Sequence, residues 1–379
     1  MKTTFVDVDG HILEPSDLWQ KNLEPRFRHR AMRFERDENG LEYWVMDEKI
    51  DRFLSNGTAA NLATIGKSKE WRRKNIFEEH MVTWEEGRAL NPAACDPHER
   101  VKMMDQEGID KSILYPSLGL SWMGLVRDPD LAAAYCRVYN DWLVDFCRHY
   151  SQRLYPAILL PWTDVSESVT ELKRTATIGS RAVMCPASPP HDLPYGDSRW
   201  DPLWAEFQQQ DLPVALHVGA GGTNPGSLMY PDIVNPSWWI FTNTTNVQLS
   251  FMSFFQGGVF DRFPDLKLVV LESGVLWMPY MLDRMDEKFE IIGFTTQTKH
   301  KPSEYFQKRG WISMDPDDEF GPIAINRLGA DRFLWAYDYP HSDSPLNPVP
   351  NLKENLKDLP EEDQRKVMGG NAIDLYKLN

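Results

Sequence analysis

Short apolar runs alternate with longer stretches of mixed polarity along most of this chain. Eight runs are strand-length, rich in β-branched or aromatic residues, and bounded by Gly, Pro or polar residues. They lie at 4–12, 111–117, 153–161, 181–188, 213–219, 266–274, 310–316 and 332–341. This pattern predicts eight β-strands.

The stretches between these runs carry apolar residues at helical spacing. Residues 128–150 begin at an Asp suited to cap a helix. Further helices are predicted at 164–178, 201–210, 275–292, 319–330 and 351–376. Continuous apolar strands alternating with helices predict an α/β fold with a parallel sheet. Eight units favour a single (β/α)8 TIM barrel that spans residues 1–379. An open doubly wound sheet is the alternative, but the GxGxxG motif that would support it does not follow the first strand.

Two segments do not fit the repeat. Residues 20–95 follow the first strand, and 219–246 follow the fifth. Both are predicted to be insertions on the carboxyl-terminal face of the barrel, where active sites of this fold lie. Long structured loops there form lids or pocket walls, and this is the role predicted for 20–95.

Composition narrows the class of protein. The chain has 379 residues and a formal net charge of -15, which argues against general binding to nucleic acid or an anionic membrane. It shows no signal segment and no apolar run of about 18 residues. Four cysteines without metal-binding spacing predict reduced thiols, so a cytoplasmic location is expected.

Polar residues interrupt the apolar runs where the predicted strands end. Asp9 and His11 are two residues apart and share one face of the first strand. Comparable positions on later strands hold the residues His217, Glu272, Asp315, Asp338 and His341. In a barrel these strand ends converge on one mouth. Clustered carboxylates repel one another unless a cation compensates them, and imidazole with carboxylate suits Fe, Mn or Zn.

Several motifs in order resemble one family. The chain resembles the amidohydrolase-related metalloenzymes of TIM-barrel type, the group with aminocarboxymuconate semialdehyde decarboxylase-like proteins. The motifs are "DVDGHILEP", "LHVGAG", "GGVFDRFPDLKLVVLESG", "LWAYDYPHSD" and "VMGGNAIDLYKL". The resemblance covers nearly the whole chain and implies a metal-dependent enzyme, without naming its substrate.

Two departures from the family pattern shape the functional hypothesis. Asp9 stands where many members have the first His of His-x-His, and Glu272 stands where many have a His that acts as acid/base. The set expected to bind metal is Asp9, His11, Glu14, His217, Glu272, Asp338 and His341. Because this set exceeds the needs of one ion, the chain resembles the branch thought to activate dioxygen with two irons on CoA-linked substrates.

Three of these residues, Glu14, His341 and Asp315, also have an interpretation that does not involve metal binding. Glu14 could pair with an Arg, and His341 could be a hydrogen-bond partner behind the metal. Asp315 in "MDPDDE" also reads as a helix N-cap. Glu272 lies in an apolar context that disfavours an unpaired structural role. The residues predicted to take part in catalysis are His341, Glu272 and Asp338.

A basic stretch stands out against the acidic chain. Its residues include Lys67, Lys69, Arg72, Arg73 and Lys74, and they fit either a solvated helix face or a clamp for the phosphates of an acyl-CoA. The tryptophans at 122, 238 and 239 would line an apolar substrate, form a dimer contact, or simply pack in the protein interior.

Three functions follow from this pattern. The first hypothesis is a non-heme di-iron monooxygenase, an oxidoreductase that uses dioxygen to hydroxylate a bulky acyl substrate. The alternative is a hydrolase or non-oxidative decarboxylase with one Zn or Mn. The third is a binding protein whose metal is closed to substrate. A homodimer is expected from the family resemblance.

Overall fold

The computed structural model describes residues 3–51, 59–78, 82–123, 126–190, 193–219 and 236–378. Eight strands in this part of the chain form one parallel sheet, and each matches a predicted apolar run. They are β1 Val6–His11, β5 Lys111–Tyr115, β6 Leu154–Ile158, β7 Ala182–Pro186, β8 Val214–His217, β9 Leu268–Val270, β10 Gly310–Met314 and β11 Phe333–Trp335.

Neighbouring strands follow in chain order from β1 to β11, apart from the small sheet described below. The two ends of the sheet meet through backbone hydrogen bonds. The His11 N–H donates to the Tyr339 carbonyl at 2.7 Å, and the Asp338 N–H donates to the Asp9 carbonyl at 2.8 Å. The result is the nearly closed (β/α)8 barrel that the sequence predicts, an α/β fold with insertions after its first and fifth strands.

Helices cover the outside of the barrel. The longer ones are α4 Pro97–Glu107, α6 Pro129–Arg148, α7 Val165–Ala176, α8 Asp201–Gln210, α9 Pro236–Gln256, α11 Trp277–Ile292, α12 Pro302–Arg309, α13 Gly321–Leu328 and α14 Pro348–Leu356. The shorter ones are α1 Leu18–Asn22, α2 Lys69–Arg72, α3 Trp84–Leu90, α5 Gly119–Trp122, α10 Val259–Arg262, α15 Glu361–Arg365 and α16 Asn371–Tyr376.

The start of α6 is stabilised by the N-cap that the sequence predicts. The side chain of Asp128 accepts hydrogen bonds from the backbone N–H groups of Asp130 and Leu131, with Pro129 in the first turn of α6. These contacts satisfy donors that have no partner inside the helix. One helix prediction was wrong in its extent, because 351–376 is divided among α15, α16 and the greater part of α14. Pro360 precedes α15, and a proline disfavours helical backbone in the residue before it.

The insertion after β1 carries its own small sheet. Strands β2 Arg33–Arg36, β3 Glu42–Met46 and β4 Lys49–Asp51 pair antiparallel. A later part of the insertion, 59–72, packs on the loop that follows β11. The Ile65 N–H donates to the Pro340 carbonyl at 3.2 Å, and the Arg72 guanidinium donates to the Ser342 carbonyl at 3.2 Å. The insertion therefore contacts the carboxyl-terminal face of the barrel.

Two expectations from composition can be compared with the structure. The four cysteines are free thiols, with Cys95 partly exposed and the others buried. Among the described residues, none of the helices combines the length and apolar character that crossing a bilayer requires.

Candidate metal centre

Four of the predicted site residues meet at the carboxyl ends of the barrel strands. Asp9 and His11 end β1, His217 ends β8, and Asp338 follows β11. The strand register is irregular between Asp7 and Gly10, and Asp9 lies in this interval. Such a bulge re-aims a side chain at the rim of a sheet. The side chains of Asp9, His11 and His217 are inaccessible to solvent, and Asp338 is 6% exposed.

Short distances join the four side chains. The Asp9 Oδ1 lies 3.2 Å from the His217 Nε2 and 3.4 Å from the His11 Nε2. The Asp338 Oδ1 lies 3.1 Å from the same His11 nitrogen. Candidate ligand atoms of Asp9, His11 and His217 all lie within 4.8 Å of one another, as do those of His11, Asp338 and His341.

Backbone carbonyls orient both imidazoles toward this space. The His11 Nδ1 lies 2.7 Å from the Pro116 carbonyl, and the His217 Nδ1 lies 2.5 Å from the Val218 carbonyl. A carbonyl oxygen only accepts, so each Nδ1 carries the proton and donates. With a cation bound, each ring would be neutral and would direct its Nε2 lone pair at the ion, which is how proteins commonly present His to a metal.

Several buried polar atoms of the cluster have no hydrogen-bond partner. They are Asp9 Oδ2, His11 Nε2 and both carboxylate oxygens of Asp338, although Asp338 Oδ1 lies at ion-pair distance from His11 and His341. A buried polar atom without a partner costs free energy, so such atoms are rare and need an explanation. A divalent cation between these residues would be a ligand partner for Asp9, His11 and Asp338, and this set of imidazole and carboxylate suits Mn or Zn. The residues present fit a metal ion.

The charges in the cluster are strongly coupled. Burial would lower the pKa of His11, but Asp338 and Asp9 outweigh it and raise that pKa to about 10. Burial would raise the pKa of Asp338, yet His341 and His11 lower it. In the absence of a metal, the imidazolium of His11 therefore compensates the two carboxylates, and a metal ion would take over this role.

A second group of carboxylates borders the cluster. Ligand oxygens of Glu272, Asp338 and Asp343 lie within 4.8 Å of one another. Burial and then Asp338 raise the pKa of Glu272 well above its usual range, and the same causes raise the pKa of Asp343 to about 7. Burial and Asp338 also raise the pKa of Asp315 to about 7. Glu272 keeps 22% of its side-chain exposure, so it lies on the solvent side of the metal cluster.

Glu14 has a different environment from the one predicted. Its buried carboxylate accepts hydrogen bonds from the backbone N–H groups of Ser117, Leu118 and Gly119 at 3.0 to 3.3 Å. The side chain thus holds the turn after β5. None of the three carboxylate and imidazole groups in the described part of the chain includes Glu14.

His341 lies beside the cluster with both ring nitrogens engaged. Its Nδ1 is 2.9 Å from the Asp338 Oδ1, and its Nε2 is 2.9 Å from the hydroxyl of Ser117. Ser117 and Asp343 were missed by the sequence reasoning. The signal was present, because Ser117 closes the apolar run "KSILYPS" and Asp343 follows His341 by two residues.

The predicted phosphate clamp lies in the insertion. Arg72 donates to the carbonyls of Lys67 and Ser342, and the ammonium of Lys67 lies 5.1 Å from the Trp71 ring. Lys69 begins α2, and Arg73 follows it. The guanidinium of Arg72 is thus used to attach the insertion to the barrel, and a phosphate-binding role stays a prediction.

Of the three roles predicted for the tryptophans, Trp122 takes the role of packing in the protein interior. Trp122 is 1% exposed and packs edge-on against Tyr135, so it belongs to the protein core rather than to a substrate pocket. The side chains of residues 238 and 239 lie outside the described part of the structure. Most of 219–246, the second insertion, also lies outside it.

Two known proteins that are similar to this chain in sequence are both decarboxylases. It is 27% identical over 296 residues to gamma-resorcylate decarboxylase of Polaromonas sp. JS666, with 74% of this chain and 87% of the relative covered. It is 23% identical over 297 residues to 2-amino-3-carboxymuconate-6-semialdehyde decarboxylase of Dictyostelium discoideum, covering 77% of this chain and 79% of the relative.

Solved structures share the fold over similar spans. An amidohydrolase from Mycobacterium avium subsp. paratuberculosis superposes with a TM-score of 0.81 at 22% identity, with all of both chains covered. A dihydroxybenzoic acid decarboxylase from Polaromonas sp. JS666, solved with bound manganese and 2-nitroresorcinol, has a TM-score of 0.67 at 23% identity over 82% of this chain and 94% of its own.

These relatives contradict the first functional hypothesis. They are decarboxylases rather than iron monooxygenases. The prediction of a di-iron oxygenase was therefore wrong, and two iron ions and dioxygen find no support among the relatives. That hypothesis rested on a predicted ligand set, with Glu14 and Glu272 in it, that exceeds the needs of one ion. A model of the amidohydrolase family matches residues 6–378, so this chain belongs to the amidohydrolase family.

Proposed function

We propose that this protein is a metal-dependent, non-oxidative decarboxylase that acts on a small aromatic carboxylic acid. Asp9, His11, His217 and Asp338 would hold one divalent cation, Mn or Zn. The observation that carries the proposal is the convergence of two Nε2 atoms and two carboxylates on one buried space, with four of their atoms unpartnered. The sequence relatives named above perform decarboxylations, which supports this reaction over hydrolysis.

The proposed ligand set is smaller than the predicted one. Glu14 is left out because three backbone amides occupy its carboxylate. His341 is left out because both of its nitrogens face other partners. Four protein ligands also suffice for a catalytic ion, which must keep a position for substrate or water.

The reaction replaces a carboxylate on carbon by a proton. The C–C bond to the carboxylate breaks, carbon dioxide leaves, and a proton binds to the carbon that carried it. A bound divalent cation would supply Lewis-acid polarisation of the substrate's oxygen atoms. The protein must hold the proton, and we assign this role to Glu272, which stands beside the ligands at the accessible side. Burial and the neighbouring carboxylates favour its protonated form.

The substrate class follows from the relatives and from the charge of the site. Small aromatic acids are the substrates named for the gamma-resorcylate decarboxylase relatives. Neither the protonated nor the ionised form of Glu272, Asp315 and Asp343 offers positive charge to a second anionic group close to the metal. A phenolic monoacid therefore suits this mouth better than a multiply charged acyl-CoA. The homodimer stays a prediction.

An activity panel tests the proposal. Protein loaded with Mn or Zn would be incubated without dioxygen with mono- and dihydroxybenzoic acids and methoxylated analogues, and carbon dioxide would be measured. We expect release for at least one phenolic acid, with loss of activity after chelation and in His217→Ala. Carbon dioxide release that requires dioxygen, or no release from metal-loaded protein with any aromatic acid, would contradict it.

A further inference from the structure

A line of three buried side chains runs from the turn after β5 to the proposed metal ligand Asp338. The Ser117 hydroxyl lies 2.9 Å from the His341 Nε2, and the His341 Nδ1 lies 2.9 Å from the Asp338 Oδ1. Ser117 is inaccessible to solvent, His341 is 2% exposed and Asp338 is 6% exposed. Water therefore cannot replace any of these contacts without a rearrangement of the barrel end.

The chemistry of Asp338, His341 and Ser117 determines which atom donates and which accepts in each of the two contacts. An ionised carboxylate only accepts, so the proton on the His341 ring belongs on Nδ1, toward Asp338. The Nε2 of a neutral ring then has only a lone pair, and the Ser117 hydroxyl must donate to it. The hydroxyl is the one partner in this line that can rotate to meet this demand.

His341 differs in this respect from the two imidazoles assigned to the metal. In His11 and His217 the Nδ1 donates to a backbone carbonyl and the Nε2 faces the shared space. In His341 the Nε2 faces the serine, and the ring stacks on His11 with centroids 3.9 Å apart at 27°. No nitrogen lone pair of this ring is left for a cation.

Asp338 needs such support because its backbone is unfavourable. Its φ is 59°, a left-handed conformation that costs free energy in a residue other than Gly. The Ser344 hydroxyl donates to its carbonyl at 2.5 Å, and its N–H donates to Asp9. These bonds fix the backbone, whereas the carboxylate itself lies against His11 and His341 at its Oδ1.

We infer that Ser117 and His341 are positioning residues, in which the serine hydroxyl fixes the His341 tautomer and His341 in turn fixes the Asp338 carboxylate. One oxygen of Asp338 is then held by imidazole, and Oδ2 is left for a cation. Glu14 belongs to the same arrangement, because its carboxylate holds the backbone of Ser117 in place. The part of the inference that concerns metal affinity rests on the proposed function, whereas the tautomer does not.

The tautomer can be measured in the wild-type, metal-free protein. Uniform 15N labelling of histidine and long-range 1H–15N correlation spectra distinguish a protonated Nδ1 from a protonated Nε2, and His341→Asn identifies the His341 signals by their loss. We expect His341 to carry its proton on Nδ1 and a hydrogen-bonded, unprotonated Nε2. A proton on Nε2 would overturn the inference, because the serine would then accept and Asp338 would face a lone pair.

Substitution of the serine tests the consequence. In Ser117→Ala the single-tautomer pattern of His341 should be lost, and the Kd for Mn should rise about tenfold or more, as for other partners of metal ligands. Ser168→Ala is the matched control, because Ser168 is equally buried and donates to the Pro161 carbonyl away from the cluster. It should leave the His341 spectrum and the Kd unchanged.

Unchanged His341 signals and Mn affinity in Ser117→Ala would contradict the inference. The two proposals can fail separately. Suppose that the wild type binds neither Mn nor Zn, that His341 is protonated at Nδ1, and that Ser117→Ala abolishes this single tautomer. The proposed metal site is then wrong, but the roles of Ser117 and His341 as positioning residues are supported. If the wild type binds metal and His341 carries its proton on Nε2, the positioning roles of Ser117 and His341 are wrong, but the proposed metal site is supported.

Discussion

Replacing Asp9 by Asn should nearly abolish metal binding while keeping the shape of the side chain. Asp9 is fully buried and contributes one of two carboxylates to the proposed ligand set. Two unit charges 4 Å apart attract by about 4 kcal/mol at an effective dielectric constant of 20. A divalent ion carries twice this unit charge, so loss of the anion raises its Kd by at least roughly three powers of ten.

Thermal unfolding converts this change into a measurable shift. Metal at a concentration of 100 Kd stabilises a folded protein by about 2.7 kcal/mol. For 379 residues, an unfolding entropy of ~2.1 cal/mol/K per residue amounts to ~0.8 kcal/mol/K. The wild type should therefore gain about 3 °C in Tm with Mn. At the same Mn concentration, Asp9→Asn should gain less than about 0.2 °C.

A matched control separates this effect from the loss of a buried charge in general. Glu171 is also a buried carboxylate, and it contacts Asn140 and Arg174 on the outside of the barrel. Glu171→Gln should lower the Tm of the metal-free protein but keep the full gain with Mn. Equal gains in the wild type and Asp9→Asn, or Mn affinities within a factor of about three by calorimetry, would refute the ligand assignment.

Two further predictions concern catalysis and pH. Glu272→Gln should bind Mn normally but lose at least about a hundredfold in decarboxylation rate, as expected for loss of a proton donor; full activity would exclude this role for Glu272. The raised pKa values of Asp315 and Asp343, about 7, and of His11, about 10, mean that the metal-free folded state binds more protons than the unfolded state. Its Tm should therefore fall from pH 5 to pH 9. The dependence should be weaker in the Mn-loaded protein, and a rising Tm without metal would contradict the charge assignment.

The barrel could be predicted from the sequence because its signal is local. Each strand is a continuous apolar run, as burial on both faces of a parallel sheet requires. All eight runs became strands, and the Asp128 cap marked the start of α6. The break of 351–376 into three helices was missed, although Pro360 marks one of the boundaries.

The site could be predicted only in part. The strand ends identify Asp9, His11, His217 and Asp338, because parallel strands bring their carboxyl ends together. The sequence does not show where a side chain turns after its strand ends. Glu14 turns to three backbone amides, and His341 turns its Nε2 to Ser117. The orientations of both side chains depend on contacts with the turn after β5, which lies about 100 residues from Glu14 in the sequence.

The oxygenase hypothesis failed for a related reason. Counting Glu14 and Glu272 as ligands suggested more ligands than one ion needs, and hence two irons. The structure gives Glu14 a set of backbone donors and places Glu272 beside the proposed ligands as a carboxyl group with a raised pKa. Acidic residues beside a proposed metal site can thus hold a turn, as Glu14 does, and Glu272 is proposed to hold a proton.

The central claim is tested most directly by following the carboxyl carbon and the incoming proton together. Mn-loaded protein in D2O, without dioxygen, would receive a hydroxybenzoic acid labelled with 13C in its carboxyl group. We expect release of 13CO2 and incorporation of one deuterium at the ring carbon that lost the carboxyl group, in equal amounts, and loss of both in Asp9→Asn. Retention of the 13C label in a hydroxylated product, formed only when dioxygen is admitted, would contradict it.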